Sequence, residues 1–441
     1  YATMPEAAAA AIHAGINQFL ENATKPVQDA LTQGLIKESD IDENLRGVLR
    51  VMIRLGMLDS RADEPYAHIG FDVPGGIAAV DDPWLWDKNK ELARKVTDES
   101  IVLLKNEGNL LPLKTTALKR IAVIGPLADK VALDWYSGTP LFAITPLAGI
   151  RARAGKTVEV TYSDGSDQAA AAELAGKADV AVVIIGNHPT CDAGWAKCPL
   201  PSDGKEAIDR KSLTLEQEQL AKAVLAANPK TIVVLQASFP FTTNWTQENV
   251  PAILEMTHNS EEQGDGLADV LFGDYNPAGR LTQTWVSSMD QLPPMMDYDI
   301  RHGRTYMYLA GKPLYAFGYG LSYTKFAYSN LRVSSMHLAR DGSVTVSMDV
   351  KNTGTRDGDE VVQLYVAHVG SAVTRPQQEL KGFRRVTIHS GETRTLTIPL
   401  KASSLAYWDG KAFAVESDNV EIRVGGSSDA IALRQKIKVG E

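Results

Sequence analysis

The period of the hydrophobic positions changes twice along the chain. Up to about residue 60 it is helical. An Ala-rich stretch at 7–14 is followed by a second at 25–33, which stops at Gly34. A third opens at Ser39-Asp40-Ile41-Asp42-Glu43, after which Leu45, Val48, Leu49, Met52 and Ile53 recur at i, i+3, i+4 spacing. Ser39 and Asp42 have a capping-box-like spacing, so Ser39-Asp40 is expected to cap this helix, and Gly56 to end it. Gly, Pro and Asp then crowd 61–86, which reads as a linker. From 87 to 325, short apolar β-branched runs at 121–125, 157–162, 180–186, 231–235 and 253–257 alternate with helix-like stretches at 87–104, 168–177, 215–227 and 261–272. That rhythm predicts a mostly parallel sheet with helices on both faces. Ligands of such sheets gather outside the carboxyl ends of the strands, which directs attention to Gly125-Pro126 and Gly186-Asn187-His188-Pro189. From 326 to 441 the period falls to two, in runs such as Val361-Val-Gln-Leu-Tyr-Val366 separated by turns at Asn352-Thr-Gly354, Asp357-Gly358 and Ser390-Gly391. A seven-strand antiparallel sandwich is the expectation there.

Composition narrows the function classes. The chain has 441 residues, 44% of them hydrophobic and 22% charged, values that exclude disorder and collagen-like repeats. Its 45 basic and 54 acidic residues leave a formal net charge of −9, which opposes binding to phosphate backbones. No uninterrupted apolar stretch is long enough to span a membrane. Position 1 is Tyr, no basic-then-apolar leader follows, and the first helical pattern is already under way, so an upstream piece of the protein is expected. The two cysteines, Cys191 and Cys198, are not a Cys-x-x-Cys redox pair, and only His188 lies near enough to join them at a metal. A short local disulfide in an oxidising compartment, periplasmic or extracellular, is the better reading; two free thiols is the other.

Nucleotide and metallo-hydrolase signatures are missing: there is no Gly-x-Gly-x-x-Gly, Walker-type loop, His-Glu-x-x-His or Gly-x-Ser-x-Gly, so neither metal nor organic cofactor is expected. The candidate for chemistry is the polar loop after 180–186, which carries Glu206-Ala-Ile-Asp209-Arg210. Taken alone, these are charges of a solvated loop, and Asp209 and Arg210 are able to form an ion pair that fixes it. As a functional group, Glu206 suits a mobile general acid/base that meets substrate when the site closes. Trp195 in the same loop, and Trp135 and Tyr136 in Asp134-Trp-Tyr-Ser-Gly-Thr-Pro140, are candidates for stacking on a sugar ring; local packing is the alternative for each.

These segments, in this order, resemble glycoside hydrolase family 3, the β-glucosidases and β-xylosidases. Ile41-Asp42-Glu43 through Leu55-Gly56-Met57-Leu58-Asp59 resembles the end of that family's barrel domain. Glu99-Ser-Ile-Val-Leu-Leu-Lys-Asn-Glu-Gly-Asn-Leu-Leu-Pro-Leu113 resembles the entry to its α/β sandwich domain, and Gly273-Asp-Tyr-Asn-Pro-Ala-Gly-Arg-Leu281 and Phe317-Gly-Tyr-Gly-Leu-Ser-Tyr-Thr324 its later signatures. Gly358-Asp-Glu-Val-Val-Gln-Leu-Tyr-Val366, Arg375-Pro376 and Glu379-Leu-Lys-Gly-Phe383 resemble its fibronectin-III-like domain. The resemblance implies a (β/α)8-type barrel tail at 1–60, a linker at 61–86, the α/β sandwich at 87–325 and the fibronectin-III-like β-sandwich at 326–441.

It also implies a retaining exo-glycosidase that removes non-reducing terminal glucose or xylose from β-linked oligosaccharides with two carboxyl groups. Glu206-Ala-Ile-Asp209-Arg210 matches the family's Glu-x-x-Asp-Arg setting, which makes Glu206 the acid/base, with Asp209 and Arg210 supporting its loop. The family's nucleophile, an aspartate in a Ser-Asp-Trp-like or Ser-Asp-Cys-like motif late in the barrel, has no counterpart here. The chain is therefore expected to supply the acid/base alone and to associate with an absent barrel fragment. Two other readings remain: a carbohydrate-binding or scaffolding protein derived from such a hydrolase, favoured by the missing nucleophile, and a receptor with α/β lobes, which the single lobe and the β-rich tail oppose.

Overall fold

In a computed structural model of the chain, residues 1–60 and 83–440 are described; most of the expected linker, 61–82, lies outside them. Residues 1–84 and 85–441 form two separate compact units.

The first unit is helical: α1 (Met4–His13), α2 (Thr24–Thr32) and α3 (Glu38–Arg54). Thr3 and Glu6 cap α1 reciprocally, the Thr3 hydroxyl accepting from the Glu6 amide and the Glu6 carboxylate from the Thr3 amide. Helix α3 begins one residue before Ser39. Its cap is the Asp40 carboxylate, which accepts from the Lys37 amide at 2.9 Å, so Ser39 is an interior residue and not the expected cap. Ala9, Ile12, Ala30 and Ile36 make a small core. Of the α3 stripe, Leu45, Leu49 and Ile53 are exposed.

The second unit opens with α4 (Asp87–Ser100), β1 (Val102–Asn106), β2 (Arg120–Ile124), α5 (Pro146–Ala154), β3 (Glu159–Ser163), α6 (Gln168–Gly176), β4 (Val180–Gly186), α7 (Glu218–Ala227), β5 (Thr231–Gln236), α8 (Asn244–Asn249), β6 (Ala252–Met256) and α9 (Gln263–Phe272). The sheet order is β1-β6-β5-β4-β2-β3, parallel except for β1. The helical pattern expected over 87–104 therefore breaks at Ser100, and its last apolar residues become an antiparallel strand: Val102 and Leu103 pair with Glu255 and Leu254 of β6. Burial on both sides explains the unbroken apolar run of β4. Val180, Val182 and Ile184 enter one core with α5 and α9, while Ala181, Val183 and Ile185 enter the other with α6 and α7. Helices α5 and α9 approach through Gly149 and Gly264; a Cβ on Gly149 would stand 2.0 Å from the Gly264 carbonyl oxygen. The outer edge of β1 is covered by the chain beyond α9, where the Leu321 amide donates to the Leu103 carbonyl at 2.8 Å.

The remaining strands are β7 (Phe326–Val333), β8 (His337–Ala339), β9 (Ser343–Asn352), β10 (Gly358–Val369), β11 (Glu379–Ile388), β12 (Thr393–Lys401), β13 (Tyr407–Trp408), β14 (Phe413–Ala414), β15 (Asn419–Gly425) and β16 (Ile431–Gly440). They form a five-stranded sheet, β11-β10-β15-β16-β8, facing a three-stranded one, β12-β9-β7, with β13 and β14 as a separate hairpin. The sandwich thus has eight strands where seven were expected, and the added strand, β8, pairs parallel with β16. Its core is Val344, Val346, Met348 and Val350 of β9 against Val362, Leu364 and Val366 of β10. The α/β part and the sandwich are joined by a buried ion pair: Arg280 donates to Glu360 at 3.0 Å, and Glu360 also accepts from the Tyr328 hydroxyl.

Candidate active site at the carboxyl edge of the sheet

The loops after β2, β4, β5 and β6 leave the same edge of the sheet, and nearly every polar residue of interest in the α/β part lies on them. Glu206 stands at the tip of a two-residue hairpin. The Lys205 amide donates to the Ile208 carbonyl at 3.2 Å and the Ile208 amide returns the bond at 3.0 Å. Ala207 completes the tip at φ +62°, in the left-handed region that costs a side-chain-bearing residue roughly 1–2 kcal/mol. Ala207→Gly is therefore expected to stabilise the turn by about 0.5–1 kcal/mol, after the entropy glycine loses on folding, and Ala207→Val to destabilise it. Thermal melts of the two variants check this; a Val variant as stable as the parent would overturn it.

The Glu206 carboxylate is exposed and accepts a hydrogen bond from the Tyr136 hydroxyl at 2.8 Å. The Tyr136 hydroxyl titrates above its ordinary range because of that bond and the Glu206 charge. Tyr136 is itself placed by Asp134, whose carboxylate accepts from the Tyr136 amide at 2.8 Å. Trp195 stacks on Trp135, ring centres 4.1 Å apart, so one face of each ring is taken by its neighbour. Cys191 and Cys198 are joined by a disulfide. The Lys205 ammonium donates to the carbonyls of Gly194 and Ala196 inside the disulfide loop, tying the hairpin that carries Glu206 to the loop that carries Trp195. A second tie runs from Lys130 after β2 to Asp192 at 2.8 Å.

Asp209 and Arg210 do not form the ion pair that their adjacency allows. Asp209 is exposed. Arg210 turns inward, donating to the Ser202 carbonyl at 2.8 Å and the Pro240 carbonyl at 2.7 Å, with its guanidinium 4.0 Å from the centre of the Phe239 ring and 4.5 Å from that of Phe241. Burial lowers the guanidinium pKa to about 10. The reason lies in the partners: two carbonyls take Nε and one terminal nitrogen and two rings cover the planar group, without taking a carboxylate out of water.

Sequence reasoning missed the polar floor behind these loops. Gln236, the last residue of β5, donates to His258 Nδ1 at 3.2 Å and to Gln263 at 3.1 Å, and Gln263 donates to the Lys130 carbonyl at 3.0 Å. A hollow of about 260 Å³ lined by Asp134, Ser137, Pro189 and His258 lies beside this network. The only available signal was position, since Gln236 and His258 flank the ends of apolar strand runs. Burial, with His188 nearby, lowers the His258 pKa to about 4. Both folded and unfolded chains then hold it neutral at pH 7. Below about 6.5 the unfolded chain takes up a proton that the folded ring refuses, so stability is lost as pH falls from 6.5 to 4, by on the order of 2–3 kcal/mol. Denaturant titrations across that range should show the slope diminished in His258→Gln; an identical slope would contradict it.

Among the described residues one group, His368, Glu416 and Asp418, has the spacing to hold a metal ion, and it lies in the β-sandwich. Its members are already engaged: His368 Nδ1 is 2.6 Å from Asp418, and Glu416 accepts from Arg375, Ser371 and the Ala372 amide. No described helix is long and apolar enough to cross a membrane.

The glycosyl hydrolase family 3 C-terminal domain matches residues 101–323, and the fibronectin type III-like domain matches 360–428. A β-xylosidase of Formosa agariphila is 31% identical over 93% of this chain and 57% of its own length. A periplasmic β-glucosidase of Salmonella typhimurium is 32% identical over 92% of this chain and 56% of its own. Among solved structures, a β-glucosidase of Erythrobacter marinus superposes with a TM-score of 0.82 at 30% identity, covering 99% of this chain and 60% of that one. The chain thus spans a little over half the length of these relatives. With its family-3 C-terminal domain, its fibronectin-III-like sandwich and relatives aligned over more than nine-tenths of its residues, the chain belongs to glycoside hydrolase family 3.

Proposed function

We propose that this chain is the acid/base half of a retaining exo-β-glycosidase that removes terminal glucose or xylose from β-linked oligosaccharides. The observation that carries the reading is Glu206 at a hairpin tip on the carboxyl edge of the sheet, oriented by the Tyr136 hydroxyl. In a double displacement one carboxylate attacks the anomeric carbon while the other protonates the departing oxygen and then deprotonates the water that frees the sugar, the two standing roughly 5–5.5 Å apart. Glu206 takes the second part. Its exposed place on a hairpin gives it access to a sugar held by another part of the molecule. The first part belongs to a carboxylate of an upstream barrel, of which residues 1–60 are the tail, and the exposed stripe on α3 supports such a partner. The disulfide and the periplasmic relative support a periplasmic or secreted location.

Native mass measurement of a preparation containing the upstream region, beside denatured mass, tests the assembly; an upstream fragment that neither binds nor is continuous with this chain would sink it. Within the assembled enzyme, Tyr136→Phe is expected to lower turnover by up to about tenfold, because the donor that orients the Glu206 carboxylate is gone. Unchanged turnover would remove Tyr136 from the site.

A further inference from the structure

Strand β6 contains a residue that its surroundings do not explain. Ala252, Leu254 and Met256 face one core and Ile253 faces the other, and the next residue on the Ile253 side is Glu255. It is 7% exposed, lies opposite Val102 and Leu235 on the neighbouring strands, and its carboxyl makes no hydrogen bond or ion pair with the described residues. Burial alone pushes its pKa up to about 8. Glu255 lines a cavity of about 250 Å³ between the end of α4, β1, β6, the loop after β5 and the chain after α9. The cavity is also lined by Arg280, whose buried Nε has no hydrogen-bond partner, by Ser238, Thr257 and Gln283, and by the Phe239 ring. A carboxyl that is only 7% exposed and without a hydrogen-bond partner is unusual, since buried polar groups are almost always paired.

We propose that this cavity is a binding site for one small neutral polyol of monosaccharide size. The hydrogen bonds come from Glu255, Ser238, Thr257 and Gln283, and an apolar wall comes from Phe239. Volume sets the size, because the cavity is smaller than the roughly 300–1,000 Å³ of pockets for drug-sized ligands. Charge sets the class. The Arg280 guanidinium is matched by Glu360, the Glu99 carboxylate that also lines the cavity faces Arg385 at 3.6 Å, and a protonated Glu255 is neutral, so the cavity offers no net charge to an anion or a cation. A protonated carboxyl both donates and accepts, as does each hydroxyl of a polyol. The site is separate from Glu206. It meets that loop through Phe239, whose ring also carries Arg210, and through Ser238, whose amide donates to Asn187 at 2.8 Å.

Isothermal titration of glucose into the chain at pH 6 tests the site, with methylammonium as the cationic probe. Millimolar glucose binding is expected in the parent and in Glu206→Ala. It should be retained within about threefold in Glu255→Gln, which keeps a donor and an acceptor, and weakened roughly tenfold or more in Glu255→Leu. Should the Leu variant fail to fold, Gln283→Ala is expected to weaken binding severalfold in its place. No glucose binding to the parent, equal binding to the Leu and parent chains, or Glu255-dependent binding of methylammonium instead of glucose would overturn the proposal. Because Glu206→Ala is part of the series, a failure here is separable from a failure of the acid/base assignment.

Discussion

If Glu206 is the proposed acid/base, then in a preparation that also holds the proposed upstream barrel Glu206→Ala is expected to lower turnover of β-linked disaccharides by about 10²–10⁴-fold, the range set by loss of a positioned proton donor. The loss should depend on the leaving group. A sugar departs as an alkoxide unless it is protonated, whereas a dinitrophenolate leaves unaided, so the first half-reaction of an activated aryl glycoside is nearly spared. Its second half-reaction still lacks the base, so glycosyl-enzyme accumulates and both kcat and KM fall. Azide needs no deprotonation, and it should restore turnover by forming a glycosyl azide. A structural role for Glu206 predicts none of this dependence on leaving group or nucleophile. Disaccharide turnover within about threefold of the parent would remove Glu206 from the chemistry. Asp209→Asn, by contrast, is expected to change little, because Asp209 is exposed and unpaired with Arg210 among the described residues.

The second large effect concerns the Arg280–Glu360 pair, whose side chains are 10% and 5% exposed. Glu360→Ala leaves a guanidinium in a low-dielectric seam with no carboxylate, and it strips the Tyr328 hydroxyl of its acceptor. A cost of about 3–5 kcal/mol is expected. Glu360→Gln should cost nearly as much, because the amide keeps the shape and not the charge. Replacing both partners, Arg280→Met with Glu360→Leu, should be far less harmful than the sum of the single changes, since most of each cost is the orphaned charge. Chemical denaturation of the parent, Arg280→Met, Glu360→Leu and the double variant measures this cycle. A Glu360→Ala loss below about 1 kcal/mol would mean that water already reaches the pair.

The sequence read well where local pattern and burial agree. The runs at 180–186 and 231–235 became strands β4 and β5 because both faces of each are covered, and period-two alternation found most of the sandwich. The readings that failed did so where a distant partner decided. Residues 102–104 continue a helical pattern on paper, yet β6 and the covering segment at Leu321 offer their backbone groups partners on both sides, and they became an edge strand. Strand β8 has three residues and no signal of its own; it exists because β16 presents a free edge. Ser39 lost the cap to Asp40, which reaches back to the Lys37 amide from one turn inside the helix.

At the site, the sequence by itself determined the chemistry on offer: one Glu in a polar loop, aromatic side chains at 135, 136 and 195, and two cysteines spaced to close a short loop. Only the tertiary structure decided who meets whom. Tyr136 and Glu206 are seventy positions apart, and they touch because β2 and β4 are neighbours whose loops leave the same sheet edge. Arg210 could have paired with the residue beside it, and instead two carbonyls and two rings from elsewhere took it. Glu255 shows the same limit most clearly. A single acid in an apolar strand is visible in the sequence, but whether it is paired, solvated or left facing a cavity depends on side chains brought in by β1, the loop after β5 and the chain after α9. Local pattern encodes how a segment folds because backbone preferences and periodicity act over a few residues. The environment of a polar side chain is set by contacts between segments, and those exist only once the chain has packed.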